Sequence, residues 1–195
     1  MFQNNDSPNI DLPPEHNSNE HELTKINESL ENDEKSFETL FGKGTELLHQ
    51  GKVIEAVPLL EKAHEIQPQD VDTGINLAGA YILTKKFKKA VKVLEPLSEE
   101  NPDHPMIWTN LGAAYLGNPV LANDEEQLKS IAAFERALAL NPVAPSVAYN
   151  IGLIYRDRRE YDKAIDWFQK AVQHNPRDQH ARNLLVKLQA EQEQD

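Results

Sequence analysis

The distribution of apolar residues along the chain repeats four times between residues 37 and 178. Each unit contains two stretches in which apolar residues recur at intervals of three and four, the spacing of one face of an α-helix. Each unit ends at a proline that follows Asn or Gln, namely Pro68, Pro102, Pro142 and Pro176, at intervals of 34, 40 and 34 residues. Because proline lacks the backbone N–H of a helical hydrogen bond and disfavours the helical conformation of the residue before it, the pattern predicts four pairs of helices that stop at these positions.

The units also share the order of small and large residues within their first helices. The third unit reads WTNLGAAY from Trp108 to Tyr115, and the fourth contains IGLIY from Ile151 to Tyr155. A glycine inside a helix costs about 1 kcal/mol relative to alanine. The glycine nevertheless recurs at the same place, as Gly112 in the third unit and as the second residue of IGLIY in the fourth. This recurrence predicts a close packing contact between paired helices.

These features make residues 35–195 similar to the tetratricopeptide repeat family, whose units of 34 residues are pairs of helices with this order of Trp, Leu-Gly, Tyr, Ala and Pro positions. The resemblance implies an all-α fold, a right-handed superhelical solenoid of antiparallel helix pairs. Such arrays need a terminal helix with a polar outer face. The predicted repeats are residues 37–70, 71–104, 105–144 and 145–178, followed by a capping helix at 179–193.

Six additional residues between Tyr115 and Ser130 account for the single 40-residue interval. Asn123 and Glu126 have the spacing of a capping box, which predicts that a lengthened second helix begins there. We interpret the insertion at 117–129 as a surface feature, and a lip that contacts a ligand is the alternative.

The N-terminal residues 1–34 lack the repeat and hold nine acids against Lys25 alone, so two thirds of the net charge of −12 lies there. This composition predicts an acidic, mostly disordered arm, followed by the repeat domain at 35–195. Leu23, Ile26 and Leu30 have the spacing of a short helical stripe, which either docks on a protein surface or belongs to a solubilising tail.

The composition narrows the classes of function. A chain with a net charge of −12 lacks the basic surface that binds phosphates, so we expect no nucleic-acid partner. No stretch reaches the roughly 20 apolar residues of a membrane span, and no secretory signal is present, so we expect no membrane insertion and a cytoplasmic location. The absence of cysteine excludes disulfides and cysteine-ligated zinc.

No catalytic constellation is visible in the sequence. There is no glycine-rich phosphate loop and no GxSxG motif, and the seven histidines lack the paired spacing of metal ligands. We therefore predict a protein that is not an enzyme, with no catalytic residues, no metal and no cofactor.

The candidate binding residues lie in the first helices of the repeats, which line a concave peptide-binding groove if the resemblance holds. Asn76, Asn110 and Asn150 recur in register with the repeat, and an amide can both donate to and accept from a ligand backbone. A hydrogen bond to a neighbouring helix is the equally weighted alternative. The remaining predicted groove residues are Ile75, Thr109, Tyr149, Ile82, Leu83 and Arg156.

The predicted function is a non-enzymatic scaffold that binds a peptide or helix of a partner protein in this groove. Because the lining offers residues such as Phe41, Thr45 and Met106 in place of a cluster of Lys and Arg, we expect an apolar or mixed segment and not an acidic C-terminal tail. The alternatives are a self-assembling, homo-oligomeric scaffold and an accessory subunit or secretion-type chaperone of a larger complex.

Overall fold

The computed structural model describes residues 18–144 and 146–192, with side chains described at residue 32 and from residue 35 onward. Nine α-helices and no strand occur in these two ranges. The predicted all-α solenoid is confirmed. The helices are α1 (Ser18–His49), α2 (Val53–Ile66), α3 (Val71–Leu83), α4 (Phe87–Glu100), α5 (Pro105–Leu116), α6 (Asp124–Leu140), α7 (Val147–Asp157), α8 (Tyr161–His174) and α9 (Gln179–Gln192).

Side-chain caps explain why two of these helices begin where they do. The Asp70 carboxylate accepts a hydrogen bond from the backbone N–H of Thr73 at 2.8 Å and so caps α3. At α6, Asn123 accepts from the N–H of Glu126, and the Glu126 side chain accepts from the N–H of Asn123. The predicted capping box is therefore confirmed, and α6, at 17 residues, is longer than the 14-residue second helices of the other repeats.

The turns that join paired helices share one backbone feature. Each contains one residue with a positive φ, and this left-handed residue reverses the chain within a few residues. Glycine occupies the position in two turns, as Gly51 and Gly117, whereas Lys85 and Arg159 occupy it in the others.

Helix α1 differs from the prediction for the N-terminal region. It begins at Ser18, so the predicted boundary between residues 34 and 35 falls inside a helix, and residues 18–34 are helical where a mostly disordered arm was expected. The sequence contains no glycine or proline from Ser18 to Phe41 that would interrupt a helix. Residues 1–17 of the predicted arm lie outside the described residues.

The core is built from large side chains of the second helices that lie against small residues of the first. Phe134 of α6 and Phe168 of α8 are fully buried. A methyl group added at Gly112 would lie 2.4 Å from the Phe134 ring, and one at Gly152 would lie 2.8 Å from the Phe168 ring. The predicted close contact at glycine is therefore present, and its partner is an aromatic ring of the paired helix.

The C-terminal helix α9 covers the last pair. Ala181 and Leu188 are buried, and Leu184 and Leu185 pack partly buried against α8. These contacts remove the apolar side of α8 from water, which is the role of a capping helix in such an array.

Candidate functional site

Two of the three predicted groove asparagines bond to the first helix of the preceding repeat. The Asn76 Nδ2 donates to the Thr45 hydroxyl at 3.0 Å, and the Asn110 Nδ2 donates to the Ile75 carbonyl at 3.4 Å. These two bonds correspond to the alternative interpretation of the asparagines, in which the amide ties neighbouring helices together.

Asn150 holds the same position in the fourth repeat, but its amide makes no hydrogen bond with any residue in the described ranges. The side chain is partly exposed. Helix α3 contacts α1 and α5, whereas α5 and α7 form no contact of comparable extent. The amide of Asn150 therefore lacks the neighbouring helix that its two counterparts use, and its donor and acceptor are both available.

Three of the other predicted residues are engaged within the array. Ile75 and Ile82 are partly buried against the apolar core around α3 and α4. Thr109 donates its hydroxyl hydrogen bond to the Pro105 carbonyl at 3.0 Å, one turn earlier in α5. The side chains of these three residues therefore make contacts within the array itself.

Two of the predicted residues lie on α7 with Asn150. The Tyr149 ring lies 5.7 Å from the Phe168 ring, at an interplanar angle of 55°, so it packs toward α8. Arg156 is half-buried and donates to the Asp157 carboxylate from Nε at 2.9 Å and from Nη2 at 2.6 Å. Asn150 and Asp157, seven residues apart, share one face of α7.

Leu83 lies apart from the asparagines. It is 68% exposed at the C-terminal end of α3. Together with Ile54 and Pro58 of α2 it lines a shallow pocket beside the turn that contains Gly51. The structure therefore brings together Asn76 and Thr45, and Asn110 and Ile75, but it places Leu83 at the turn edge of the array.

Consecutive repeats also share a polar contact that was not predicted from the sequence. The Tyr81 hydroxyl donates to the Glu61 carboxylate at 2.6 Å, and the Tyr115 hydroxyl donates to the Glu95 carboxylate at 3.0 Å. In both pairs the glutamate precedes the tyrosine by 20 residues. This constant offset, in register with the repeat, is a sequence signal for the contact, but Glu135 and Tyr155 have the same offset and form no such bond.

These hydrogen bonds shift the pKa values of Glu61 and Tyr115. The hydrogen bond from Tyr81 lowers the pKa of Glu61 below 4.5, and Lys89, which bonds to the same carboxylate at 3.0 Å, lowers it further. Burial and the bond to Glu95 raise the pKa of Tyr115 to about 12. The Glu61 carboxylate therefore stays charged, and the Tyr115 phenol stays neutral, through the neutral range.

Replacing Tyr81 with phenylalanine should lower the free energy of unfolding by about 1.5 kcal/mol, because one hydrogen bond to a charged, partly buried group is lost. The pKa of Glu61 is lowered in the folded state, so its contribution is present above pH 4.5 and is lost as the pH falls through the folded-state pKa. The difference between the two proteins should narrow below pH 4.5 in urea unfolding at a series of pH values.

The matched control for Tyr81→Phe is Tyr155→Phe. Tyr155 occupies the same place in the fourth repeat, but its hydroxyl makes no hydrogen bond with a residue of the described part. Its substitution should change the unfolding free energy by less than about 0.5 kcal/mol. Equal losses of unfolding free energy at the two positions would show that the hydrogen bond from Tyr81 to Glu61 does not stabilise the fold.

Among the described side chains, no group of three or more His, Cys, Asp or Glu could hold a metal ion. Within the same part of the chain, no helix has both the length and the apolar character needed to cross a membrane.

Two sequence models described as tetratricopeptide repeat match the chain, at residues 47–114 and 128–182. The photosystem I assembly protein Ycf3 of Prochlorococcus marinus is 36% identical over 130 residues, which are 62% of this chain and 69% of that protein. The peroxisomal targeting signal receptor of Pichia angusta is 30% identical over 141 residues, which are 69% of this chain and 24% of the receptor. The tetratricopeptide repeat-containing protein trd-1 of Caenorhabditis elegans is 28% identical over 67% of this chain and 16% of that protein.

Thus the chain spans a quarter or less of the length of the last two relatives. Among solved structures, MamA superposes with a TM-score of 0.67 at 23% identity, covering 79% of this chain and 81% of that one. TTC0263, a thermophilic protein of Thermus thermophilus with the same kind of repeat, superposes with a TM-score of 0.66 at 21% identity, covering 80% and 82%. At these identities the two superpositions establish the fold alone.

Proposed function

The chain belongs to the tetratricopeptide repeat family, and from this we propose that it is a non-enzymatic scaffold that binds a segment of a partner protein at the surface of α7 around Asn150. Families of this kind act through protein–protein interaction, and two of the relatives carry names of that type, a targeting signal receptor and an assembly protein.

The observation that carries the proposal is the unbonded amide of Asn150. Asn76 and Asn110 use their amides to hold neighbouring helices, so a ligand would have to compete with those bonds. The amide of Asn150 can instead donate to a carbonyl and accept from an N–H of a bound backbone. Because the Asn150 amide holds no neighbouring helix, a ligand can bond to it without breaking a contact within the array. Asn150 is therefore the asparagine of the three that is best suited to bind a ligand.

The surroundings of Asn150 support a bound segment of mixed character. Leu153 and Tyr149 supply partly buried apolar surface, and Arg156 is neutralised by Asp157. A segment that places a backbone polar group at Asn150 and an apolar side chain at Leu153 fits these features.

Substituting Asn150 with alanine in the full chain should weaken binding of a directly bound partner by about fivefold, because one net hydrogen bond is worth about 1 kcal/mol. The partner is first obtained by co-purification with the wild-type chain from its native source, and is then titrated as a purified protein by calorimetry. A photo-crosslinking residue placed at Leu153 should join to the bound segment.

The matched control is Asn76→Ala, the same substitution at a position whose amide is already bonded to Thr45. It should lower the stability of the array and leave the affinity within about twofold. An unchanged dissociation constant for Asn150→Ala, or crosslinks that form equally well from Lys170 on α8, would contradict binding at this surface.

A further inference from the structure

A cleft with a volume of about 920 Å³ lies between the second helices α4 and α6, beside the turn that follows α5. Its walls include the apolar side chains of Phe87, Val91, Leu116 and Leu121. We call it the lysine cleft, because six lysines line it: Lys85, Lys86, Lys88, Lys89, Lys92 and Lys129. None of its residues belongs to the predicted asparagine groove.

Half of these lysines have no partner in the described part of the chain. Lys85, Lys88 and Lys92 form neither an ion pair nor a side-chain hydrogen bond there. Lys86 lies 5.9 Å from the centre of the Tyr81 ring and interacts electrostatically with the Glu61 carboxylate without forming an ion pair. The paired members bind acids in single contacts: Lys89 with Glu61 at 3.0 Å and Lys129 with Glu125 at 2.8 Å.

The two acids that line the cleft are already engaged. Glu95 accepts the hydrogen bond of Tyr115, and Glu126 belongs to the capping box with Asn123. By formal charge, the six lysines outnumber these two acids and the two others, Glu61 and Glu125, that pair with Lys89 and Lys129. In a chain of net charge −12, the cleft is therefore a local region of excess positive charge.

The cleft also exposes apolar surface. Leu121 in its wall is 77% exposed, and the adjacent Val120 is 88% exposed. Large apolar side chains grouped next to a charged rim characterise surfaces that another chain covers. The cleft thus calls for a ligand with apolar residues along its centre and acids along its sides.

The helical segment 18–34 of α1, which we call the acidic helix end, extends beyond its neighbours. Helix α2 is antiparallel to α1 and has 14 residues, so it pairs with only about the last 14 residues of α1. At 1.5 Å per residue, the acidic helix end extends about 25 Å past the end of α2.

The sequence of the acidic helix end has the complementary pattern. At 3.6 residues per turn, Leu23, Ile26 and Leu30 fall on one side of the helix, whereas Lys25 falls on the opposite side. Pairs of acids flank the apolar positions on both sides, Glu20 with Glu31 on one and Glu22 with Asp33 on the other. The result is an apolar stripe between two acidic rows.

We propose that the acidic helix end of one copy docks in the lysine cleft of a second copy. The apolar stripe covers Phe87 and Leu121, and the acidic rows face the unpaired lysines on α4. Two turns of a helix about 10 Å wide occupy about 850 Å³, which is comparable to the volume of the cleft.

The occupant must come from a second copy because of the direction of α1. The first helices begin at the edge of the array that holds the turns between repeats, whereas the cleft opens at the opposite edge, beside Lys85 and Gly117. A helix that is continuous to His49 cannot turn its own beginning back to that edge. The contact is independent of the surface around Asn150.

Charge reversal on either side tests the proposal in the full chain. The double variant Lys88→Glu/Lys92→Glu reverses the charge of these two cleft residues. The double variant Glu31→Lys/Asp33→Lys reverses the charge of two residues in the acidic helix end. Wild-type protein should show a concentration-dependent mass above 22.1 kDa in sedimentation velocity, and each variant alone should weaken this association at least about tenfold. An equimolar mixture of the two variants should associate again, since each cleft then meets a helix end of opposite charge.

The matched control is Lys43→Glu/Lys62→Glu, which changes the net charge equally at exposed lysines outside the cleft and should associate like the wild type. Circular dichroism verifies that all variants remain helical. A wild-type chain that stays monomeric at millimolar concentration overturns the proposal. The proposal is also overturned if Lys88→Glu/Lys92→Glu associates as strongly as the wild type, or if the equimolar mixture of the two charge-reversed variants does not associate.

Discussion

Replacing Phe134 with alanine is expected to lower the free energy of unfolding by about 3–5 kcal/mol. The ring is only 1% exposed and packs against Ile131, Val147 and Ile151, so it joins the third repeat to the fourth. The ring also lies directly against Gly112 of the paired helix α5, so its removal leaves a cavity between the two helices. Urea unfolding followed by circular dichroism measures the loss.

A matched substitution in the same helix is Leu128→Ala. Leu128 is 53% exposed, one and a half turns before Phe134, and its truncation should cost less than about 1 kcal/mol. Since the stability of a native domain is about 5–15 kcal/mol, the Phe134 variant should lose at least about a fifth of it. A loss below about 1.5 kcal/mol would show that the third and fourth repeats do not depend on this ring.

The repeat architecture was predictable because its signals are local. Each terminal proline, and the spacing of Asn123 and Glu126, act within a few residues of chain, and the helices end and begin at those places. The special position of Gly112 was also predictable from helix propensity. The identity of its partner, the ring of Phe134, was not, because that contact depends on how two helices 22 residues apart are rotated against each other.

The proposed binding surface was predictable only as a set of equivalent positions. Asn76, Asn110 and Asn150 are the same residue in the same register, yet only the first two bond to a preceding helix. What distinguishes Asn150 is the separation of α5 from α7, a property of the stacked array that no local pattern contains. Composition was likewise misleading for α1: the acids that suggested disorder at 18–34 lie in a helix without a glycine or proline to stop it.

Substituting Gly112 with valine should lower the free energy of unfolding by about 3 kcal/mol. A Cβ atom at this position would lie 2.4, 2.5 and 2.7 Å from three atoms of the Phe134 ring, which is far inside van der Waals contact. A buried aromatic ring cannot rotate out of the way as the end of an aliphatic chain can, so either the ring or helix α5 must shift. Overpacking of this kind typically costs 1–3 kcal/mol, and the two added methyl groups place valine at the upper end.

The matched control is Gly79→Val in the first helix of the second repeat. A Cβ atom added at Gly79 meets nothing within 4 Å, so only helix propensity changes. Because valine is a somewhat better helix former than glycine, this variant should be as stable as the wild type or slightly more stable. Equal losses at Gly79 and Gly112 would mean that the helix, and not the ring of Phe134, responds to the substitution.

Combining Gly112→Val with Phe134→Ala separates the clash from general damage to the helix. If the two residues act through their contact, removing the ring relieves the crowding, and the valine methyl groups fill part of the cavity that the ring leaves. The double variant should then lose at least about 1 kcal/mol less than the sum of the two single losses, in the same urea unfolding measurement. Additive losses would show that glycine and ring stabilise the third repeat independently, and the Leu-Gly pair would then need an explanation other than the packing of paired helices.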